Sequence, residues 1–295
     1  MDSSPLVKPL VTPAELRALM DGDGGLVVID TRAPEHYAAG HLPGAANVHE
    51  IFTFLATSTP DGMAQLQQTF ADLFGAAGVG GDETVVIYED AMDTGYGQSC
   101  RGWFLLKYLG HPRVHILHGG LQAWRAAGFD VTDEPAAPAP RQFVPEVDAS
   151  LMLTWQDMLA ALEHDEIVKL DVRDRDEWIG ESSSPYGKDF APRKGRIPGA
   201  VWIEWYRLMR SDSEFPMFLD PEDILSTCAQ AGIDQDSEVF LYCFKGARAA
   251  NTMVALQEAG IRNVRLYFGS WNEWSRDPSL PIDEGLLDTL AAADA

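Results

Sequence analysis

Val239-Phe240-Leu241-Tyr242-Cys243-Phe244-Lys245-Gly246-Ala247-Arg248-Ala249-Ala250 is the stretch from which the rest of the chain can be read. Val239 to Tyr242 is an apolar and aromatic run that predicts a buried strand. Cys243 to Arg248 predicts a tight loop, and Ala249 to Gly260 has helical spacing with Gly260 as its stop. One cysteine therefore stands where a strand gives way to a helix. Open α/β sheets place their sites beyond the carboxyl ends of the strands, and a helix N-terminus aims backbone N–H groups and positive dipole at whatever sits there. Lys245 and Arg248 add two cations nearby. Such surroundings favour a thiolate nucleophile and attract an anionic substrate.

The frame around this stretch is duplicated. Leu26-Val27-Val28-Ile29-Asp30-Thr31-Arg32 is echoed by Glu166-Ile167-Val168-Lys169-Leu170-Asp171-Val172-Arg173, and Gly40-His41-Leu42-Pro43-Gly44-Ala45 by Gly195-Arg196-Ile197-Pro198-Gly199-Ala200. Thr84-Val85-Val86-Ile87-Tyr88 matches Glu238 to Tyr242, and His118-Gly119-Gly120-Leu121-Gln122-Ala123-Trp124 matches Phe268-Gly269-Ser270-Trp271-Asn272-Glu273-Trp274. Four blocks recur in one order, at a period of about 150 residues, which is a duplicated domain because solenoid repeats are several-fold shorter. Helical stretches at Pro13 to Met20, Gln65 to Ala77, Arg101 to Leu109, Thr154 to Glu163 and Pro221 to Ala231 separate the strands. That alternation predicts an α/β fold with a parallel sheet covered on both faces in each copy.

The loop resembles the active-site loop of the rhodanese (sulfurtransferase) family, whose thiosulfate sulfurtransferases carry Cys-Arg-Lys-Gly-Val-Thr. Cysteine, lysine and glycine match Cys243, Lys245 and Gly246, while the second, fifth and sixth positions differ. The Asp-x-Arg and Gly-x-x-Pro-Gly-Ala blocks are rhodanese-like too, so the resemblance covers nearly the whole chain, twice. It implies two tandem rhodanese-like domains, each a central parallel sheet flanked by helices. Residues 6–132 form the first, non-catalytic copy and 150–284 the catalytic one. The Pro- and Ala-rich segment 133–149 between them favours extended backbone and reads as a linker.

The copies differ chemically. Aligning Tyr88 with Tyr242 puts Glu89 where Cys243 stands, and Asp90 to Gln98 supplies neither thiol nor cation. The other two cysteines, Cys100 and Cys228, fall in helical stretches and read as small packed residues. Fourteen positions separate Asp30 from Gly44 and twenty-eight separate Asp171 from Gly199, so the second copy carries an insertion at 181–194. Its cations Lys188, Arg193 and Lys194 read either as approaching the mouth of the site or as part of a solvated loop.

The resemblance implies that Cys243 attacks the outer sulfur of a donor and carries it as a persulfide to a thiol or cyanide. Backbone N–H groups of Phe244, Lys245, Gly246, Ala247, Arg248 and Ala249 are expected around the sulfur, and no metal or organic cofactor is needed. The cations favour thiosulfate, whose leaving group is sulfite. The alternative donor is 3-mercaptopyruvate. The enzymes that use it resemble Cys-Gly-Ser-Gly-Val-Thr at this loop, and Lys245 stands in the serine's place. An arginine that holds the donor in both classes aligns with Glu177, leaving Arg193 and Arg196 as candidate substitutes.

Two other readings are weaker. Cysteine-dependent phosphatases have five residues between cysteine and arginine, and here four intervene, a ring that fits sulfur better than phosphate. A wholly non-catalytic binding module is the other, and it suits the first copy. A net charge of −23 argues against nucleic acid or an anionic membrane surface as partner. An odd number of cysteines without close spacing argues against a disulfide framework or zinc site, and His111, His115 and His118 have no completing ligand set. No apolar run approaches the roughly 20 residues that span a bilayer. Met1 to Thr12 lacks a secretory pattern, so cytoplasm is the expected compartment.

Overall fold

The computed structural model describes residues 8–210 and 213–284. Residues 6 and 7, at the start of the expected first domain, lie outside the described residues. The first sheet contains β1 (Leu10–Val11), β2 (Leu26–Asp30), β3 (Ala46–Asn47), β4 (Thr84–Tyr88) and β5 (Val114–Leu117), in the order β1-β5-β4-β2-β3. The second contains β6 (Met152–Leu153), β7 (Ile167–Asp171), β8 (Val201–Trp202), β9 (Glu238–Tyr242) and β10 (Val264–Tyr267), in the order β6-β10-β9-β7-β8. Every pairing is parallel. The two sheets thus share one topology, as the duplicated blocks predict. The central strands are buried runs of Val, Ile, Leu, Phe and Tyr, the pattern that helices on both faces of a parallel sheet require.

The recurring motifs have one physical meaning in both copies. At the end of β2, Asp30 binds Arg32, whose Nη2 lies 2.6 Å from Asp30 Oδ2 and donates to the Gly40 carbonyl at 2.8 Å. At the end of β7, Arg173 does the same with Asp171 at 2.6 Å and the Gly195 carbonyl at 2.8 Å. Tyr88 and Tyr242 complete the network, their hydroxyls accepting from Leu42 N–H and Ile197 N–H at 3.1 Å. A buried charge must be paired and hydrogen-bonded, and here the pairing also ties the Gly-x-x-Pro-Gly-Ala turn to the strand end.

Helix starts differ most from expectation. The helix after β9 spans Ala247–Glu258 and that after β4 spans Gln98–Tyr108, each beginning earlier than its spacing suggests. Gly246 (φ 89°) and Gly97 (φ 78°) take the left-handed backbone at the caps, which lets the chain turn straight from loop to helix. The helix expected at Gln65 begins at Pro60, a residue suited to a first turn.

The chain divides into two compact units that do not follow the linear boundaries. Leu55–Met63 belongs with the second unit and Met209–Phe218 with the first. Ser58 explains the former: its N–H and hydroxyl donate to the two Glu273 carboxylate oxygens at 2.6 and 2.8 Å, and its Oγ accepts from Trp155 N–H at 2.9 Å. Phe218 N–H donates to His118 Nε2 at 3.0 Å, holding the latter. The segment 133–149 is extended and lies on the first unit, where Arg141 bridges Glu83 and Asp82, both at 2.7 Å. Among the described residues no helix is long and apolar enough to cross a membrane.

Candidate active site

Cys243 follows β9 directly and is 1% exposed. Its sulfur accepts from the Gly246 N–H at 3.1 Å. The loop is therefore Cys243–Gly246, four residues instead of the expected six, with Ala247, Arg248 and Ala249 forming the first helical turn. Their N–H groups have no acceptor inside the helix and face the same end as the sulfur. Gly246 could not be replaced without strain, because its φ is positive and an added Cβ would meet Phe268 Cδ2 at 2.9 Å.

The loop is fixed from behind by the turn after β10. Trp271 N–H donates to the Cys243 carbonyl at 3.0 Å and Asn272 N–H to the Phe244 carbonyl at 2.9 Å. Cys243 N–H donates to Ser270 Oγ at 3.2 Å, and that hydroxyl donates to the Tyr267 carbonyl at 2.7 Å. Ser270 has φ 53°, a left-handed backbone that the matching Gly120 (φ 62°) adopts without penalty. Sequence reasoning aligned Ser270 with Gly120 but gave it no role. The serine-for-glycine difference between copies was the available signal.

The two expected cations are not alike. Arg248 is buried, and its guanidinium reaches Glu177 at 2.5 and 3.1 Å and Asp174 at 3.0 Å. Burial pulls its pKa down, but the charge and hydrogen bonds of Glu177, then the charges of Cys243 and Asp174, outweigh that and hold it well above the ordinary value. One guanidinium faces two carboxylates, so the cluster carries no surplus positive charge for an anion. Arg248, expected to attract substrate by its charge, is thus engaged by two carboxylates. Glu177 supplies the partner from the position where the donor-holding arginine was expected. Asp174 and Glu177 cap each other at the start of the helix Arg175–Trp178, which presents both carboxylates to Arg248.

Lys245 is largely buried, with Nζ 5.0 Å from the centre of the Tyr186 ring. Tyr186 belongs to the 181–194 insertion and its ring centre lies 5.0 Å from that of Phe244. The insertion thus meets the cysteine loop through an aromatic side chain, which the charge-based reading missed. Arg193 donates to the carbonyls of Ser275, Leu280, Trp274 and Asp277, tying down the 274–280 segment. Arg196 lies over the Trp178 ring at 4.8 Å and donates to the Trp178 carbonyl at 3.2 Å. Arg193 and Arg196, expected as candidate substitutes for the donor-holding arginine, make these contacts with backbone carbonyls and an indole ring. Cys100 and Cys228 are buried in helices, and burial raises the Cys228 pKa to about 11.

The first unit has the same scaffold with different chemistry. Leu121 N–H donates to the Glu89 carbonyl at 2.9 Å and Gln122 N–H to the Asp90 carbonyl at 3.0 Å, the bonds that Cys243 and Phe244 accept in the second unit. Glu89 is therefore the structural counterpart of Cys243. Its Oε1 accepts from Ser99 N–H at 3.2 Å and Ser99 Oγ at 2.6 Å, so an internal carboxyl fills the start of the helix Gln98–Tyr108. Burial raises its pKa to about 8.

The model of the rhodanese-like domain matches residues 12–127 and again 154–277. The chain belongs to the rhodanese-like domain family. The first match contains Glu89 and the second Cys243. A thiosulfate sulfurtransferase of Azotobacter vinelandii is 29% identical over 283 residues, covering 96% of this chain and all of that one. A thiosulfate sulfurtransferase of Pseudomonas aeruginosa is 30% identical, covering 93% of this chain and 96% of the relative. A structure of EanB bearing a cysteine persulfide, with ergothioneine, superposes with a TM-score of 0.82 at 23% identity. It covers 97% of this chain and 73% of that one, and the rhodanese-like fold is what that likeness shows.

Proposed function

We propose that the chain moves sulfane sulfur from thiosulfate to cyanide or a thiol through a persulfide on Cys243, with the first domain non-catalytic. The observation that carries this is the Cys243 sulfur receiving the Gly246 N–H at 3.1 Å at the start of a helix. Relatives of matching length named thiosulfate sulfurtransferase support the reaction class.

In the first half-reaction the Cys243 thiolate attacks the outer sulfur of thiosulfate. The new S–S bond forms as the old one breaks, and sulfite leaves with the electron pair. In the second, cyanide or a thiolate takes the terminal sulfur and the Cys243 thiolate returns. The N–H groups of Gly246 to Ala249 stabilise the charge that stays on the terminal sulfur. Lys245 is the loop cation placed to favour departing sulfite, while Arg248, locked to Glu177 and Asp174, serves as a rigid wall.

The neutralised Arg248 cluster favours keeping 3-mercaptopyruvate as a second reading, because that donor presents one carboxylate where thiosulfate presents a dianion. Steady-state thiocyanate production with each donor and cyanide tests the proposal. Cys243→Ser abolishes it, and Cys100→Ser and Cys228→Ser retain most of it. Equal activity in Cys243→Ser overturns the proposal.

A further inference from the structure

The first domain contains a cavity of about 540 Å³ at the carboxyl ends of β2 and β4, within the size range of small-molecule sites. Its charged and titratable lining residues are Arg32, His36, His49, Asp90 and Arg125. The two guanidinium charges are matched by two carboxylates, Asp90 and the buried Asp30 that Arg32 grips, and the histidines add charge only when protonated. The start of the helix Gln98–Tyr108 offers no anion site, because the N–H groups of Gly95, Gln98 and Ser99 are directed at Glu89. A cavity balanced in this way favours an uncharged ligand over a dianion or a cation. We propose that it binds a neutral polyhydroxylated ring of monosaccharide size.

Arg32 decides the ligand's chemistry. It is 4% exposed, with Nε and Nη2 spent on Asp30 and the Gly40 carbonyl. Its Nη1 makes no hydrogen bond among the described residues and lies 3.9 Å from Asp90 Oδ1. That gap is too long for a hydrogen bond, and one hydroxyl spans it by accepting from the guanidinium and donating to the carboxylate. Asp90 is steadied for this role, since its Oδ2 accepts from Gln122 Nε2 at 2.8 Å and leaves Oδ1 to the cavity. The second domain shows the contrast. There Arg173 Nη1 is fully buried, with the Trp271 ring centre 4.5 Å from the guanidinium carbon, whereas Leu121 stands in Trp271's place in the first domain and Arg32 Nη1 is not sealed. His49 brings a second acceptor. Its Nδ1 lies 3.1 Å from the Thr31 carbonyl, which only accepts, so Nδ1 carries the proton and Nε2 of the neutral ring keeps a lone pair. Hydroxyl groups donate and accept at once, and thus answer guanidinium, carboxylate and imidazole without adding charge. Ala33, Ala39 and Phe52 in the lining suit the C–H edges of the same ring.

Calorimetric titration of the full chain with myo-inositol, cyclohexanol, inorganic phosphate and glycine tests it. The first two share a six-membered ring and differ in hydroxyl number, phosphate reports an anion site, and glycine reports a site for a zwitterion. One-to-one saturation by myo-inositol is expected with a Kd of about 1 mM, at least about tenfold tighter than any of the other three. Asp90→Ala weakens myo-inositol about tenfold, the loss of one charge-assisted hydrogen bond, and His49→Phe about threefold, the loss of a neutral one. Cys243→Ser leaves the binding unchanged, because the site uses no group of the second domain. Thermal melts report the fold of the two cavity variants, and either one that folds decides alone. Equal binding of myo-inositol and cyclohexanol, tighter binding of phosphate or glycine, no saturation by myo-inositol, or binding insensitive to Asp90→Ala and His49→Phe overturns the proposal.

Discussion

Glu89→Gln separates the chemistry of the two domains most sharply. The Glu89 carboxyl is wholly buried, with Oε2 unpartnered, and its pKa rises from 4.5 to about 8 chiefly through desolvation, which the Ser99 hydrogen bonds only partly offset. Between pH 4.5 and 8 the folded state holds a proton that the unfolded state has lost, so stability falls as pH rises. Each pH unit is worth about 1.4 kcal/mol, and the whole span costs on the order of 5 kcal/mol. Glutamine keeps the shape and cannot ionise. Urea unfolding of both proteins from pH 4.5 to 9 measures the difference. Wild type and Glu89→Gln are expected to be alike near pH 4.5, and the variant to gain steadily up to pH 8 and then level off. A difference that stays flat with pH refutes the reasoning that Glu89 is carried as a neutral acid in the cysteine's place.

Three further outcomes test the second domain. Gly246→Ala forces a left-handed alanine against Phe268 and is expected to cost about 1–2 kcal/mol, lowering both the unfolding midpoint in urea and the rate of sulfur loading. Unchanged loading contradicts the role of the Gly246 N–H. Glu177→Gln leaves Arg248 buried with a weaker set of partners and is expected to destabilise by about 3 kcal/mol, whereas Glu177→Gln combined with Arg248→Met recovers part of it. Additive losses in that double-mutant cycle contradict the pairing. Tyr186→Ala removes the ring beside the Lys245 ammonium, worth about 0.5–1 kcal/mol. That predicts a thiosulfate KM raised roughly two- to fivefold, and Tyr186→Phe is expected to keep the wild-type value. Equal KM in all three proteins removes the insertion from the site.

Much of the fold was legible because its determinants are local. The apolar strand runs, the Asp-x-Arg pairs two residues apart and the glycine-marked turns are written within a few positions of one another. The duplicated order then predicted that the two sheets are alike, while their strand order came only from the structure. What stayed hidden depends on contacts far apart in sequence. Ser58 meets Glu273 across 215 positions and Arg248 meets Glu177 across 71, and no periodicity announces either. The segment 133–149 read as extended backbone, and it is, but its docking through Arg141 on Glu83 and Asp82 follows from tertiary charge placement. In the candidate site, cysteine, lysine and glycine of the loop were visible from spacing. The sign of the charge around Arg248 was not, because a guanidinium's partners decide whether it attracts an anion. The insertion was visible by length alone, and its aromatic contact with Phe244 was passed over in favour of its cations.

The most direct test of the central claim is the intact mass of the chain after incubation with thiosulfate, followed by cyanide, with the modified residue located by peptide mapping. The account predicts a gain of one sulfur atom, on Cys243, that cyanide removes as thiocyanate. No gain with thiosulfate, or a gain on Cys100 or Cys228 that persists in Cys243→Ser, contradicts it.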